Sequence, residues 1–204
     1  MSAVIKPRYT LAEYFALELA SDARYEYRDG HVFELSGATP EHDIIVNNLI
    51  TGLQIQLRGR GCRVHGSNVR VKVPAFPPYR YPDLTALCRQ PEYETIGGIK
   101  ALTNPALIVE VLSPSTESFD RGDKFFYYKS IASFCEYLLV AQHRPHVTHY
   151  VRKEDGISWS YEEFNSLDDT LCLASLGISL KLSELYQDVD FAAAAPPLYP
   201  HEVL

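Results

Sequence analysis

The segment Leu107–Leu112 constrains the fold more than any other part of this chain. Its residues, Leu-Ile-Val-Glu-Val-Leu, are apolar on both faces of an extended strand, which is typical of a strand inside a sheet. Glu110 is the exception, because a carboxylate taken out of water is costly unless a cation or hydrogen-bond donors compensate its charge. We therefore expect Glu110 to have such a partner.

A second acid, Asp83, stands in the segment Tyr81-Pro82-Asp83-Leu84-Thr85 and is predicted to lie on a neighbouring strand. Two carboxylates that converge on one point repel each other, and a divalent cation relieves that repulsion. The pattern favours Mg²⁺ or Mn²⁺ held by Asp83, Glu110 and the backbone carbonyl of Val111. Two alternatives are a strand-end acid in a turn for Asp83 and, for Glu110, a buried acid satisfied by backbone donors.

Capping, turn and periodicity signals predict a mixed α/β sheet with helices packed on it. The predicted helices run from Thr10 to about Leu19, from Thr39 to Gly59 and from about Glu117 to Ser130. Asp29-Gly30 predicts a hairpin, and Ser183–Tyr186 a last helical turn. Residues 89–104 are expected to form a loop or a short irregular segment.

Length and composition favour a single domain over residues 1–190, followed by a loosely ordered tail over 191–204. No run approaches the roughly 18 apolar residues of a membrane span, and the first residues lack an apolar signal core, so we expect a cytoplasmic protein. The four cysteines are widely spread and are expected to be reduced. The formal charge of −7 counts against a large basic surface for duplex DNA, although residues 58–63 and 69–73 are locally basic.

The string from Ile108 to Thr116, Ile-Val-Glu-Val-Leu-Ser-Pro-Ser-Thr, is the most specific motif of the chain. Pro82-Asp83 and four further segments belong to the same pattern. These segments are Tyr25-Glu26 before Asp29-Gly30, Gly37-Ala38-Thr39 with His42, Asp120-Arg121-Gly122-Asp123-Lys124 with Tyr128, and Glu136-Tyr137-Leu138. Together they resemble the Uma2 family of restriction-endonuclease-like proteins, within the PD-(D/E)xK nuclease superfamily. The likeness covers about residues 10 to 185 and implies a restriction-endonuclease-like mixed central sheet flanked by helices.

The resemblance also implies catalytic roles for residues outside the acidic pair. The superfamily usually has a lysine two residues after the second acid, where this chain has Leu112, and the family pattern points to Lys124 as its substitute. Tyr128 falls one helical turn later on the same face. The alternative for Lys124 is a weak surface pair with Asp120, worth about 0.3–0.5 kcal/mol.

Two residues nearer the amino terminus complete the candidate site. Glu26 is a third carboxylate by resemblance, or else an exposed acid of its strand. His42 lies in the first turn of its predicted helix, where it can carry a proton or contact phosphate. The alternative for His42 is a structural histidine bonded near the hairpin.

These residues predict a Mg²⁺-dependent endonuclease, with Mn²⁺ as a substitute, in which activated water cleaves DNA. The rival hypothesis is a catalytically inactive nuclease-like module that binds DNA or protein, since the strand lysine is missing and fold does not fix function. A homodimer is compatible with double-strand cutting, which commonly needs two sites, but the sequence does not establish one.

Overall fold

The computed structural model describes residues 8–35 and 37–194. The helical elements are α1 Leu11–Ala20, α2 Pro40–Leu57, α3 Glu117–Phe119, a π-helical turn Asp120–Lys124, α4 Phe125–Tyr128, α5 Leu182–Leu185 and α6 Phe191–Ala194. The strands are β1 Tyr25–Arg28, β2 His31–Glu34, β3 Arg63–Gly66, β4 Val71–Lys72, β5 Tyr79–Arg80, β6 Leu84–Leu87, β7 Tyr93–Ile96, β8 Ile99–Leu102, β9 Leu107–Leu112, β10 Glu136–Ala141, β11 Val147–Arg152, β12 Trp159–Phe164, β13 Thr170–Leu173 and β14 Ile178–Lys181.

A six-stranded mixed sheet forms the centre of the fold, in the order β12-β11-β10-β9-β6-β3. Strands β9 and β10 are parallel, and the other neighbouring pairs are antiparallel. All six residues of β9 are buried, because the strand has neighbours on both sides and packed layers on both faces. The predicted mixed sheet and the interior position of the Glu110 strand are confirmed.

The two faces of β9 pack against different helical layers. Val109 and Val111 face the leucines of α2, which follow one helical stripe: Leu49, Leu53 and Leu57, with Ile45 at its start. Ile108 and Leu112 face the other layer, together with residues of α4. Because side chains alternate along a strand, Glu110 points to this second layer. The layer exists because parallel strands need a crossover connection, and the chain from α3 to α4 supplies it between β9 and β10.

The predicted start and turn signals are confirmed at three places. Thr10 and Glu13 form a capping box at the start of α1. The Thr39 side chain caps α2, with proline at the next position. Asp29 and Gly30 have φ values of 48° and 86°, as the tight turn between β1 and β2 requires.

The prediction of a loop over residues 89–104 is wrong. This segment contains β7 and β8, which pair as an antiparallel hairpin at the end of a second sheet in the order β5-β4-β8-β7. Gly97 and Gly98 make its turn, with φ values of 58° and 86°. The strand signal was weak because three of the four residues of β7 are exposed and include few apolar side chains. The glycine pair alone was a hairpin signal.

The prediction of four reduced cysteines is also wrong, because Cys62 and Cys88 form a disulfide. Each cysteine lies one residue outside a pair of aligned strand residues, Arg63 of β3 and Leu87 of β6, so their side chains meet across the strands. Strand register decides this pairing, and cysteine spacing does not reveal it. Cys135 and Cys172 are free.

The structure describes only the first part of the predicted carboxyl-terminal tail, residues 191–194. Residues Phe191–Ala194 form the short helix α6, in which Phe191 contacts Tyr186. The rest of the predicted tail, residues 195–204, lies outside the described residues. Within the described part of the chain, no helix is long and apolar enough to cross a membrane.

The buried stripe of α2 gives a test of the fold. We expect Leu49→Ala to lower the free energy of unfolding by about 2–5 kcal/mol, because it removes a fully buried side chain and leaves a cavity against β9. Ile55→Ala on the same helix is the matched control, since Ile55 is 63% exposed, and should change stability by less than about 0.5 kcal/mol. Urea unfolding measures both, and equal losses would contradict this packing.

Candidate active site

Asp83 and Glu110 lie next to each other where β6 meets β9. Asp83 directly precedes β6 rather than lying within it. Leu84 and Val109 are aligned in the antiparallel pair, so the next positions outward are Asp83 and Glu110. The backbone N–H of Val111 donates to Oδ2 of Asp83 at 2.7 Å, which fixes the carboxylate beside β9. The three predicted ligand positions therefore lie together where β6 begins, beside the middle of β9.

His42 approaches the same point from the amino-terminal turn of α2. Its Nε2 lies 3.2 Å from Oδ2 of Asp83. Burial lowers the pKa of His42, but the hydrogen bond and charge of Asp83, with smaller effects of Asp43 and the Val111 backbone, raise it above its ordinary value. His42 is bonded to Asp83 and not to the hairpin, so the structural alternative near the hairpin is wrong.

Glu110 and Lys124 form a buried ion pair on the crossover side of the sheet. Nζ of Lys124 lies 2.8 Å from Oε1 of Glu110 and 3.2 Å from Oδ1 of Asp120. The Tyr128 hydroxyl donates to the same Oε1 at 2.9 Å, and the Tyr137 hydroxyl donates to the Asp120 carbonyl at 3.0 Å. Among the described residues, side chains and not backbone donors bind Oε1 of Glu110. The contact of Lys124 with Asp120 is buried, so the surface-pair alternative is wrong.

The charges in this cluster are not evenly matched. Burial raises the pKa of Glu110 well above its usual range. The Lys124 ammonium lowers this pKa, whereas the nearby carboxylates of Asp120 and Asp83 raise it further. Burial lowers the pKa of Lys124, but Glu110 and Asp120 outweigh it and raise the pKa above its ordinary value. Lys124 therefore remains an ammonium at neutral pH and interacts with four carboxylates, those of Glu110, Asp120, Glu26 and Asp83.

Glu26 reaches the cluster from the middle of β1 and is buried, so the exposed-acid alternative is wrong. Its Oε2 accepts from Nη2 of Arg28 at 2.8 Å, and its Oε1 accepts from the Tyr81 backbone N–H at 3.4 Å. Burial alone would raise the pKa of Glu26, but the charges of Lys124, Arg80 and Arg28 outweigh it and lower the pKa below its ordinary value. Glu26 is therefore a charged carboxylate at neutral pH.

Sequence reasoning missed two charged residues of this region. Asp120 was considered only as a surface partner of Lys124, yet both lie buried in the π-helical turn. That turn is rare and often found at functional sites, and no pattern in the sequence indicated it. Arg80 was not considered, although it is buried and its charge acts on Glu26. The alternation of arginine with tyrosine in Tyr79-Arg80-Tyr81 was the only signal available.

The donor groups fit a magnesium ion that also takes ligands from water and substrate. Among residues 8–35 and 37–194, no cluster of three or more His, Cys, Asp or Glu side chains is arranged to hold a metal ion. Mg²⁺ does not require one, since it keeps several waters and is usually bound by one or two carboxylates plus substrate phosphates. Asp83 and Glu110 each keep one carboxylate oxygen, Oδ1 and Oε2, that accepts no hydrogen bond from the described residues.

The buried ion pair makes a prediction about stability. We expect Lys124→Met to lower the free energy of unfolding by about 3–5 kcal/mol at pH 8 in the presence of a chelator, because buried carboxylates lose their cation. Protonation of Glu110 relieves this loss, so the deficit should shrink as the pH falls to 5. Urea unfolding at the two pH values measures both effects.

Two further variants control that experiment. Lys153→Met replaces an exposed lysine and should leave stability nearly unchanged at either pH. The double variant Glu110→Gln with Lys124→Met should recover part of the loss, because it removes the uncompensated charge. A deficit in Lys124→Met that is the same at pH 5 and pH 8 would argue against this account of the cluster.

Comparison with known proteins identifies the family. Residues 11–183 match the model of the Uma2 family, which is described as "Putative restriction endonuclease". Two uncharacterized proteins of Synechocystis sp. are similar: slr1290 is 30% identical over 185 residues, covering 91% of this chain and 95% of that protein, and sll1609 is 33% identical over 146 residues, covering 72% and 82%. A crystal structure described as a putative nuclease belonging to DUF820, from Anabaena variabilis, shares the fold with a TM-score of 0.67 at 19% identity, over 87% of this chain and 97% of that one. The family model spans most of this sequence, and the chain belongs to the Uma2 family.

Proposed function

We propose that this protein is a Mg²⁺-dependent endonuclease that hydrolyses phosphodiester bonds of DNA, with Mn²⁺ as a substitute metal. One observation carries the proposal: Asp83, Glu110 and Val111 lie together where β6 begins beside β9, with an ammonium 2.8 Å from Glu110. Membership of the Uma2 family supports the same reaction class. Adjacent acids next to a fixed cation suit the cleavage of an anionic ester.

Asp83, Glu110 and the backbone carbonyl of Val111 are the groups that would hold the metal ion. Its chemistry there would be that of a Lewis acid, which lowers the pKa of water and stabilises charge on the phosphate. The chain's own contribution is to hold both carboxylates in place. Val111 N–H fixes Asp83, and the Tyr128 hydroxyl fixes Glu110.

Lys124 acts through its positive charge rather than as a base. Because its neighbours raise its pKa, its ammonium keeps the proton at neutral pH and cannot accept one from water. A fixed ammonium beside Glu110 can orient the attacking water and stabilise negative charge that develops on the phosphate. Lys124 thus takes the role that the superfamily gives to the strand lysine, whose position Leu112 occupies here.

His42 and Glu26 flank this centre with different tasks. His42 is bonded to Asp83 and has a raised pKa, so its imidazolium can donate a proton or a hydrogen bond to phosphate. Glu26 is already paired with Arg28 and interacts electrostatically with Lys124, so we assign it the task of holding the cations in place.

The rival function is binding of DNA or protein without hydrolysis. It is favoured by Leu112, a buried apolar residue in the place of the superfamily lysine. Both hypotheses allow binding of DNA, but only the enzyme requires a metal ion at Asp83 and Glu110. Metal dependence therefore discriminates between them.

Isosteric substitution of the acid provides the first test. We expect Asp83→Asn to lower the Mg²⁺-dependent cleavage rate of DNA by about 100-fold or more, because it removes a charged ligand while keeping the shape of the side chain. Glu184→Gln, on an exposed position of α5, is the matched control and should cleave like the unaltered protein. Supercoiled plasmid, linear duplex and single strands should all be offered as substrates.

Calorimetry with Mg²⁺ completes this test without relying on activity. Binding of Mg²⁺ that is abolished by Glu110→Gln and retained by Glu184→Gln supports the enzyme. DNA binding without any metal dependence, together with no cleavage of any DNA form, would establish the rival.

Double-strand cleavage would require two such sites, so the proposal includes a homodimer. Strand β12 is one edge of the central sheet, and its Tyr161 is 67% exposed, which suits contact with a second copy. Light scattering of the purified protein measures the mass directly.

A further inference from the structure

Arg80 is a buried cation without an ion-pair partner. Its side chain is 1% exposed and is the largest fully buried one among the described residues. Its Nη1 donates to the Tyr79 carbonyl at 2.8 Å, whereas its Nε is buried without a hydrogen-bond partner in residues 8–35 and 37–194. No carboxylate of those residues lies within 4.0 Å of the guanidinium. Burial of an unpaired charge is costly, so this arrangement calls for an anion.

Arg28 presents a second guanidinium in the same place. One edge of it is bound to Glu26, while its Nε is likewise buried and unpartnered in the described part of the chain. The Phe119 ring lies 3.6 Å from its guanidinium carbon and the Phe33 ring 4.8 Å, so aromatic faces hold the group. Such stacking leaves the N–H donors in the guanidinium plane free for an anion.

Both arginines line one pocket of about 210 Å³. The Tyr127 ring stands beside Arg80, 5.6 Å from its guanidinium carbon, and contacts the Phe76 ring, which also lines the pocket. The one carboxylate in the lining is the exposed Asp29. The pocket therefore offers two guanidinium groups with free N–H donors between aromatic walls.

Glu26 connects this pocket with the candidate active site. Its carboxylate accepts a hydrogen bond from Arg28 and interacts electrostatically with Arg80 and with Lys124. Lys124 in turn contacts Glu110. Glu26 is bonded to Arg28, and neither it nor the exposed Asp29 forms an ion pair with Arg80, so the charge of Arg80 has no ion-pair partner among the described residues. Guanidinium groups bind phosphate oxygens through paired N–H donors, which matches the unpartnered nitrogens.

We infer that the pocket between Arg28 and Arg80 binds a phosphate group of the nucleic-acid strand, one that neighbours the phosphate placed at Asp83 and Glu110. The inference rests on the proposed function for the identity of the strand, but not for the binding of phosphate. The subsite holds the strand in register, and Arg80 and Arg28 are its binding residues. The competing explanation is that Arg80 serves only as a structural counter-ion of Glu26.

The first arm of the test uses inorganic phosphate and the full chain in the presence of a chelator. Phosphate should raise the thermal unfolding temperature of the unaltered protein, and this protection should vanish in Arg80→Met and in Arg28→Met. Arg28 is 29% exposed, so its variant remains informative if Arg80→Met fails to fold. Lys153→Met is the matched control, because it removes one exposed positive charge outside the pocket of Arg28 and Arg80.

The second arm measures binding of a fluorescent DNA oligonucleotide by anisotropy, again without metal and over a range of salt concentrations. Loss of one phosphate contact should weaken DNA binding by about tenfold and reduce the salt slope by about one in each arginine variant. Lys153→Met should bind DNA with unchanged slope. Protection by inorganic phosphate with unaltered DNA binding would overturn the assignment to a strand and leave a site for free phosphate.

A third outcome would overturn the inference altogether. If the two arginine variants keep both phosphate protection and the salt slope, Arg80 is a structural counter-ion, and Glu26→Gln should then restore stability to Arg80→Met. Failure of the proposed hydrolysis would give a different result, because both binding measurements are made without metal and do not depend on cleavage of DNA. A protein that binds DNA through Arg28 and Arg80 but never cuts it would refute the enzyme and retain the subsite.

Discussion

The contact between the Lys124 ammonium and the Glu110 carboxylate holds the candidate site together. β9 is buried on both faces, so an acid at its centre needs a cation, and the crossover helix delivers one at 2.8 Å. The same ammonium also reaches Asp120, which lies in its own π-helical turn. The central sheet, the crossover and the charge cluster therefore form together, because the acid of β9 is compensated only when the helix is in place.

Burial of an acid does not by itself mark a functional site in this protein, as Glu18 shows. Glu18 of α1 is as deeply buried as Glu110, yet its Oε2 accepts from Arg70 and from the hydroxyls of Tyr79 and Tyr81, and its Oε1 from a backbone N–H. Both of its oxygens are occupied by donors fixed in the fold. Glu110 and Asp83, by contrast, each keep an oxygen that no described residue satisfies, and they stand next to each other. Paired acids with spare oxygens are the feature on which the proposed metal site rests.

The sequence predicted the parts of the fold that depend on local patterns. Capping at Thr10 and Thr39, the Asp29-Gly30 turn and the apolar run of β9 each have a signal within a few residues, and all are confirmed. What depended on register or on distant packing was missed. The disulfide of Cys62 needs β3 and β6 to align, and the burial of Arg80 needs the hairpin β1-β2 and the crossover to cover it.

The ammonium beside Glu110 comes from the crossover and not from β9, and this origin matters for the candidate enzyme. A lysine two residues after Glu110 would share its strand and its rigidity, but Leu112 fills that position and packs with Tyr128 and Phe125. The ammonium instead comes from a π-helical turn that is held to the sheet by the Tyr137 hydroxyl at the Asp120 carbonyl. Any movement of the crossover relative to β9 therefore changes the charge around Glu110 before it changes the position of Asp83. Because Glu26 interacts both with its two arginines and with the Lys124 ammonium, a phosphate in the pocket of the arginines would alter the electrostatic environment of Lys124 through Glu26, without touching Asp83 or Glu110.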